Sequence, residues 1–404
     1  VGCKFLGGAE LQKAGSISGY EFTSLIGCVT STTQKKSGAA SWYCAGPNEN
    51  AQWWRPAEAA WADEVRLKFD IYVTALTSNR NAWLGALTSA NATDRRRRLY
   101  IGSAGANQAS FAIYNQTGTV IGGTGVIGFT LNTWHRIEWY YKRVASGLST
   151  DQIKIDGTLY DLSGANGSPD ASQIKGFEIS TVDPDSKSGT NINYYIDDIV
   201  IFDSSGSYNN TWPGLTQLKF AVPNGDVGGS YNEWINNQGA PGSYVYWDEW
   251  PTDLTDYNLP DAVNDSQLSD FQDCATIGIQ TYDTIVAAML RAAHEAVPFT
   301  TRCKFLAREG SDTPPSGPAV VGPETWTGGD SAQQAPATVW RMDTTPVSAV
   351  AWTPTLWDAM EFGGECTVWQ AGQNQPVSSL GCYVAYVAGT PPAAGGRSQG
   401  YVIG

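Results

Sequence analysis

The sequence predicts an all-β protein built as two β-sandwich or jelly-roll domains, with minor short helices and an extended C-terminal arm. Three observations carry that prediction. Aromatic residues are abundant, with 16 Trp, 19 Tyr and 12 Phe against only 3 Met, and 44 Gly accompany them. Aromatic and β-branched side chains fit a half-buried pleated surface, and glycine fits tight turns. Apolar residues also alternate with period two in short runs, clearest in residues 135–143 (HRIEWYYKR) and 153–157 (IKIDG), so residues two apart share a face. Finally, 404 residues exceed one comfortable core and suit two domains.

Taken in order, residues 65–76, 97–103, 110–115, 134–144, 151–162 and 193–203 read as strands separated by Gly, Asn, Ser and Asp clusters. Many short antiparallel strands without intervening helices imply a sandwich or jelly roll. The polar stretch 202–217 contains Pro213 and places a boundary near 208, giving a first domain of 1–208 and a second of 209–388. The second reads as strands at 215–222, followed by a Pro-Asn-Gly-Asp turn, then at 244–250, 276–290, 302–310, 338–346 and 366–372. Residues 284–296 (TIVAAMLRAAHEA) have helix-forming composition but alternating neighbours, and are read as strand. Two segments read as short helices: 252–259, and 353–363 with Thr353 as N-cap, Pro354 in the first turn and Gly363 as stop. Residues 389–404, rich in Pro and Gly, read as an arm that frays or docks on a neighbour through Tyr401, Val402 and Ile403.

Charge and composition exclude several functions. With 25 Lys plus Arg against 39 Asp plus Glu, the formal charge of −14 repels phosphate backbones and anionic lipid, so nucleic acid is not an expected partner. The basic run Arg95 to Arg98 reads as a solvated loop or strand edge. No stretch has the apolar length of a membrane span, and the first residues lack the apolar core of a signal peptide.

Seven cysteines show no zinc spacing. Hairpins would set Cys28 opposite Cys44 and Cys366 opposite Cys382, within disulfide reach; buried free thiols are the alternative. His135 and His294, the two histidines, fall in different domains, so no His-based triad assembles within one. The adjacent carboxylates Asp197–Asp198 and Asp248–Glu249 should point to opposite strand faces and fail to converge on a glycosidic bond. No catalytic residue and no cofactor is expected. Carboxylate-bearing loops at 169–173, 184–191 and 222–229 would suit calcium, though turns explain them as well. Trp53, Trp54 and Trp61, with Trp247 and Trp250, are candidates for stacking on sugar rings or anchoring a partner, core packing being the alternative.

These residues carry a resemblance. The early GYEF, then AQWWRPA, LNTWHRIEWYYKRV, DQIKIDGTLYDL and the closing INYYIDDIVIFD make the first half similar to concanavalin A-like or laminin G-like jelly rolls. The second half resembles a domain of tailed-bacteriophage structural proteins, through LKFAVPNGD, YVYWDEWPTDLTDYN, IGIQ, FLAREG, MDTTP and AWTPTLWDAMEFGGE. The resemblance implies a non-enzymatic virion protein, a capsid decoration, fibre or tail component, made in the host bacterial cytoplasm. It would be a homo-oligomer contacting other virion proteins and host-surface glycans. A carbohydrate-binding adhesin is the alternative.

Overall fold

A computed structural model describes residues 3–9, 24–26, 28–45, 50–54, 60–76, 81–88, 95–145, 148–163, 172–180, 192–206, 210–227, 231, 233–236, 244–246, 258–294, 302–309, 320–326, 338–369 and 377–391. Strands dominate these residues, and the helices are short: Tyr244–Tyr246, Cys274–Ile277 and Pro354–Asp358.

Two antiparallel sheets form the first half. In one, Thr158–Asp161, Thr150–Ile155, Trp134–Lys142, Glu64–Leu76, Ile192–Asp203, Ser41–Ala45 and Val29–Ser31 lie side by side, and Cys3–Gly7 also pairs with Ile192–Asp203. The other runs Val120–Gly128, Gln108–Asn115, Arg95–Gly105, Asn81–Thr88, Gly176–Ser180, Asn50–Trp54, Ser24–Ile26. Val65, Leu67, Phe69, Ile71 and Val73 project from one face of Glu64–Leu76 into a core shared with Leu99, Ile101, Phe111 and Phe177 of the opposite sheet. The IDG segment closes a two-residue hairpin, with Asp156 at φ 50° and Gly157 at φ 88°. Such left-handed pairs match the twist of the flanking strands.

The second half is also two-layered. A six-stranded sheet takes in Ile235–Asn236, Asn258–Leu259, Val377–Val387, Thr284–His294, Thr338–Met342 and Thr216–Ala221; a five-stranded one orders Pro223–Asp226, Ser266–Phe271, Met360–Val368, Arg302–Glu309 and Val320–Trp326. Within Thr284–His294, residues 287–292 are buried on both faces. Ala288, Leu290 and Ala292 pack with Phe305 and Phe362 beneath the five-stranded sheet, whereas Ala287 and Met289 join the core of the first half. A strand covered on both sides has no solvent face to mark, so its composition loses the alternation that identifies strands.

Local expectations fared unevenly. Thr353 caps Pro354–Asp358, its side chain accepting from Leu356 N at 3.2 Å. The helix nevertheless ends at Asp358, and Gly363 lies inside the strand Met360–Val368, where a Cβ would sit 1.7 Å from the Gln267 carbonyl oxygen. Its role is close strand approach, not helix termination. Pro223–Asp226 is not a plain turn but a strand paired with Ser266–Phe271, where the chain passes from one sheet to the next. Asn258 and Leu259, read as helical, form a strand; residues 252–257 lie outside the described residues.

Candidate functional site

The outer face of the first half's eight-stranded sheet carries a ladder of complementary side chains. Glu64, Arg66, Lys68, Asp70 and Tyr72 point outward from one strand, and Lys142, Tyr140, Glu138, Arg136 and Trp134 stand directly opposite on the next. Lys142 Nζ meets Glu64 Oε1 at 2.8 Å, and Arg66 lies over the Tyr140 ring at 5.1 Å. Lys68 is ion-paired with Asp70, and Arg136 Nε with Glu138 Oε2 at 3.3 Å. Directly opposed unlike charges stabilise a sheet.

Lys68, Asp70 and Glu138 are nonetheless buried. The segment joining the halves folds back over them: Gly214 N donates to Glu138 Oε1 at 2.7 Å, and Trp212 packs on Tyr140 and accepts Lys154 over its face at 4.3 Å. What remains open is a cleft of about 330 Å³, lined by Lys36, Lys68, Asp70, Trp134, Arg136 and Asp156, with Leu215 to Gln217 as its far wall. Trp134 leans on Tyr72, ring centroids 5.6 Å apart. Beneath the cleft, His135 points inward and stacks on Phe129, with Nδ1 2.6 Å from Asp156 Oδ2 and Nε2 2.9 Å from the Thr130 carbonyl. Burial pulls the imidazole pKa down, but the Asp156 hydrogen bond, the Thr130 carbonyl and the Asp156 charge outweigh it and hold it above its ordinary value.

Asp197 and Asp198 depart from simple alternation. The ladder slips between Asp197 and Val200, and Asp198 sits at φ 50°, so both carboxylates reach the same loop. Asp197 Oδ2 accepts from Lys36 N at 2.8 Å and Ser37 N at 3.1 Å; Asp198 Oδ1 accepts from Ser37 Oγ at 2.5 Å and Leu218 N at 3.0 Å. Burial, and then the charge of Asp198, push the Asp197 carboxyl well above the usual range. The two groups therefore do converge, contrary to the strand-face expectation. Both are sealed from solvent, and they hold the 36–37 loop and the start of the second half instead of facing a substrate.

The second half has its own buried charged group. Arg308 pairs with Glu361, opposite it on the neighbouring strand, and lies 4.7 Å from the Tyr231 ring. Burial pushes the Glu361 carboxyl up to about 7 against the pull of Arg308.

The halves meet along Cys3–Gly7. Cys3 N donates to Asp343 Oδ1 at 2.7 Å, and the Arg291 guanidinium lies 5.2 Å from the Phe5 ring and 5.5 Å from the Tyr383 ring. Leu218, Ala287, Met289, Val339, Tyr383 and Ala385 belong to the same apolar core as Phe5, Leu6 and Phe177.

Other expected residues fall elsewhere. Trp61 is fully buried in the core, its main-chain N–H donating to the Ile174 carbonyl at 2.8 Å, so it cannot touch a glycan or partner. Trp53 and Trp54 end the strand Asn50–Trp54, and their side chains, like all of Trp247, Asp248, Glu249 and Trp250, lie outside the described residues. So do the His294 side chain and the arm residues Tyr401, Val402 and Ile403. Cys28 and Cys44 are disulfide-bonded. Cys366 and Cys382 are not, because Met360–Val368 and Val377–Val387 belong to different sheets. Arg95 to Arg98 is neither loop nor edge: the strand is interior, Arg97 is buried with its Nε 3.1 Å from Asp151 Oδ2, and Arg95 pairs with Glu178. Among the described residues no three His, Cys, Asp or Glu side chains gather as metal ligands; the loops 169–171 and 184–191 lie outside them. The ladder was missed, although its signal is visible as charges of opposite order at every second residue of 64–72 and 134–142.

The first half is thus a jelly-roll sandwich of two antiparallel sheets, the architecture implied by its resemblance to concanavalin A-like folds. No family model matches the chain. No curated protein matches it in sequence. Among solved structures, it is similar to an endo-β-1,4-glucuronan lyase from the fungus Trichoderma reesei, at 10% identity and TM-score 0.36, over 50% of this chain and 96% of that one. It is also similar to the alginate lyase Aly36B, at 16% identity and TM-score 0.36, over 49% and 95%. A third likeness is to the carbohydrate recognition domain of Emp46p, at 10% identity and TM-score 0.33, over 49% and 96%. These proteins differ in activity, and likeness at this level assigns none to this chain.

Proposed function

We propose that the chain is a non-enzymatic structural protein of a tailed-bacteriophage virion, a decoration, fibre or tail component that assembles as a homo-oligomer. The observation that carries this reading is the join between the halves, where side chains of both enter one apolar core. Inter-domain contacts within a chain are by default modest and mobile, whereas a shared core makes a stiff block suited to a load-bearing shell or fibre. The resemblance of the second half to phage structural domains points the same way.

Proteomic analysis of purified particles from the phage encoding the chain tests the proposal, with light scattering of the isolated protein with and without residues 389–404. The chain should be present in many copies per particle, and its oligomer should lose subunits on truncation. Its absence from particles would overturn the reading.

The cleft on the outer sheet face favours a second reading, a carbohydrate-binding adhesin. Trp134 offers a ring face for sugar C–H groups, and Lys36 and Arg136 offer donors for hydroxyls or carboxylates. A glycan array comparing the wild type with Trp134→Ala tests it: binding lost in the variant supports the adhesin, and no signal from folded wild type removes it.

A further inference from the structure

The cysteines of the two halves occupy similar settings in different chemical states. Cys28 and Cys44 lie across from one another on adjacent antiparallel segments, next to the pair Val29 and Tyr43, with Cα atoms 4.5 Å apart, and they are bonded. Cys303 and Cys366 are likewise direct cross-strand partners, on Arg302–Glu309 and Met360–Val368, and they are free thiols with no solvent exposure. Cys366 Sγ donates to the Val368 carbonyl at 3.4 Å, which leaves its sulfur lone pairs facing Cys303 across the strands. Directly opposed cysteines on antiparallel strands fall within the separation that a disulfide requires.

We propose that Cys303 and Cys366 are a covalent modification site, closing a second cross-strand disulfide when the protein meets a peroxide. Cys366 is the attacking group: the hydrogen bond from Cys303 draws its pKa down, whereas burial pushes the Cys303 thiol up. It also sits near the exposed end of its strand, where Val368 is 43% exposed, so a small oxidant has a short path to it. The Cys366 thiolate attacks one peroxide oxygen, giving a sulfenic acid and hydroxide. The Cys303 sulfur then attacks the Cys366 sulfur, forming the S–S bond and releasing the sulfenic oxygen as water. In sum two thiols lose two electrons and two protons, and one hydrogen peroxide becomes two waters.

The cross-link would tie Arg302–Glu309 to Met360–Val368, two of the three inner strands of the five-stranded sheet, and close a loop of 64 residues counting both cysteines. Linking residues far apart in sequence restricts the unfolded chain. Cys3, Cys274 and Cys382 have no such cross-strand cysteine partner among the described pairings. They should stay reduced under the same mild treatment. The inference concerns the second half alone and is independent of the virion reading.

The test uses the full-length protein. It is treated with stoichiometric hydrogen peroxide, denatured, alkylated and digested without reductant, and the peptides are mapped by mass spectrometry. The expected product is one new cross-linked peptide pair holding Cys303 and Cys366, two hydrogens lighter than the sum of its parts, with the thermal midpoint raised by roughly 5 °C. Cys366→Ser should remove both effects; Cys382→Ser should leave both. Recovery of Cys303 and Cys366 fully alkylated, singly over-oxidised, or linked to a different cysteine would overturn the proposal, and the wild-type map decides this even if a variant fails to fold.

Discussion

Arg291, in the second half of the chain, donates from Nη2 to the main-chain carbonyl of Leu6, in the first, at 2.9 Å. Both residues are buried, and the guanidinium is flanked by the Phe5 and Tyr383 rings. A cation is tolerated there because hydrogen bonds and aromatic faces replace its hydration.

Arg291→Ala should therefore cost about 3 kcal/mol of unfolding free energy, from the orphaned Leu6 carbonyl and the cavity left behind. Arg291→Met, which keeps most of the volume, should cost less. Urea denaturation of the three proteins checks the ranking, and an unmoved midpoint for Arg291→Ala would contradict a joint held through the Arg291–Leu6 contact.

Arg97 and Asp151 form an ion pair inside the first sandwich, with Trp139 Nε1 3.4 Å from the same carboxylate and the Arg97 guanidinium 4.9 Å from the Tyr141 ring. Removing one partner strands the other charge in the core, so Arg97→Met alone should destabilise by about 3 to 5 kcal/mol, whereas the double change Arg97→Met with Asp151→Leu should recover most of that loss. Thermal midpoints around this double-mutant cycle measure the coupling; additive losses would show that the pair is not coupled.

At Gly363 a Cβ would meet the Gln267 carbonyl oxygen at 1.7 Å, with no flexible side chain able to move aside. Gly363→Ala should push two paired strands apart and cost upwards of about 3 kcal/mol. Gly128→Ala, where nothing lies within 4 Å, should be nearly neutral. Equal stability of the two variants would refute the close strand approach.

The His135–Asp156 pair predicts a pH dependence whose sign follows from both partners. The His135 pKa is raised in the folded protein, so its contribution is complete below the unfolded value near 6.5 and disappears as pH rises through the folded value. The Asp156 pKa is lowered: burial raises it, but the hydrogen bonds from His135 and Arg136 N prevail, so its contribution is lost only as pH falls through that lowered value. The thermal midpoint should therefore decline as pH rises from the ordinary imidazole value near 6.5 through the raised folded value, and His135→Gln should flatten that slope. A slope identical in the variant would assign the titration to other groups.

The sequence made the all-β class and the IKIDG hairpin legible because period-two alternation and an Asp-Gly pair are local signals. The same logic failed where burial changed sides. A basic run reads as solvated, yet the partner of Arg97, Asp151, lies 54 residues away and only the sandwich brings them together. Strict alternation puts Asp197 and Asp198 on opposite faces, but the strand carries a bulge there that the sequence does not announce. Cys366 and Cys382 form no hairpin pair because adjacency in the chain is not adjacency in a sheet: their strands belong to different sheets. For the outer-face cleft, the strand contribution was readable as two complementary charge patterns. Its roof was not, because the fold-back of Trp212 to Gln217 depends on where the second half docks.

Differential scanning calorimetry of the intact chain tests most directly the claim that the two halves share one core. A shared core requires one cooperative transition, with calorimetric and van't Hoff enthalpies in agreement, and a single shifted transition in Arg291→Ala. Two resolved transitions in the wild type, each the size of half the chain, would contradict it and return the protein to two independent domains on a linker.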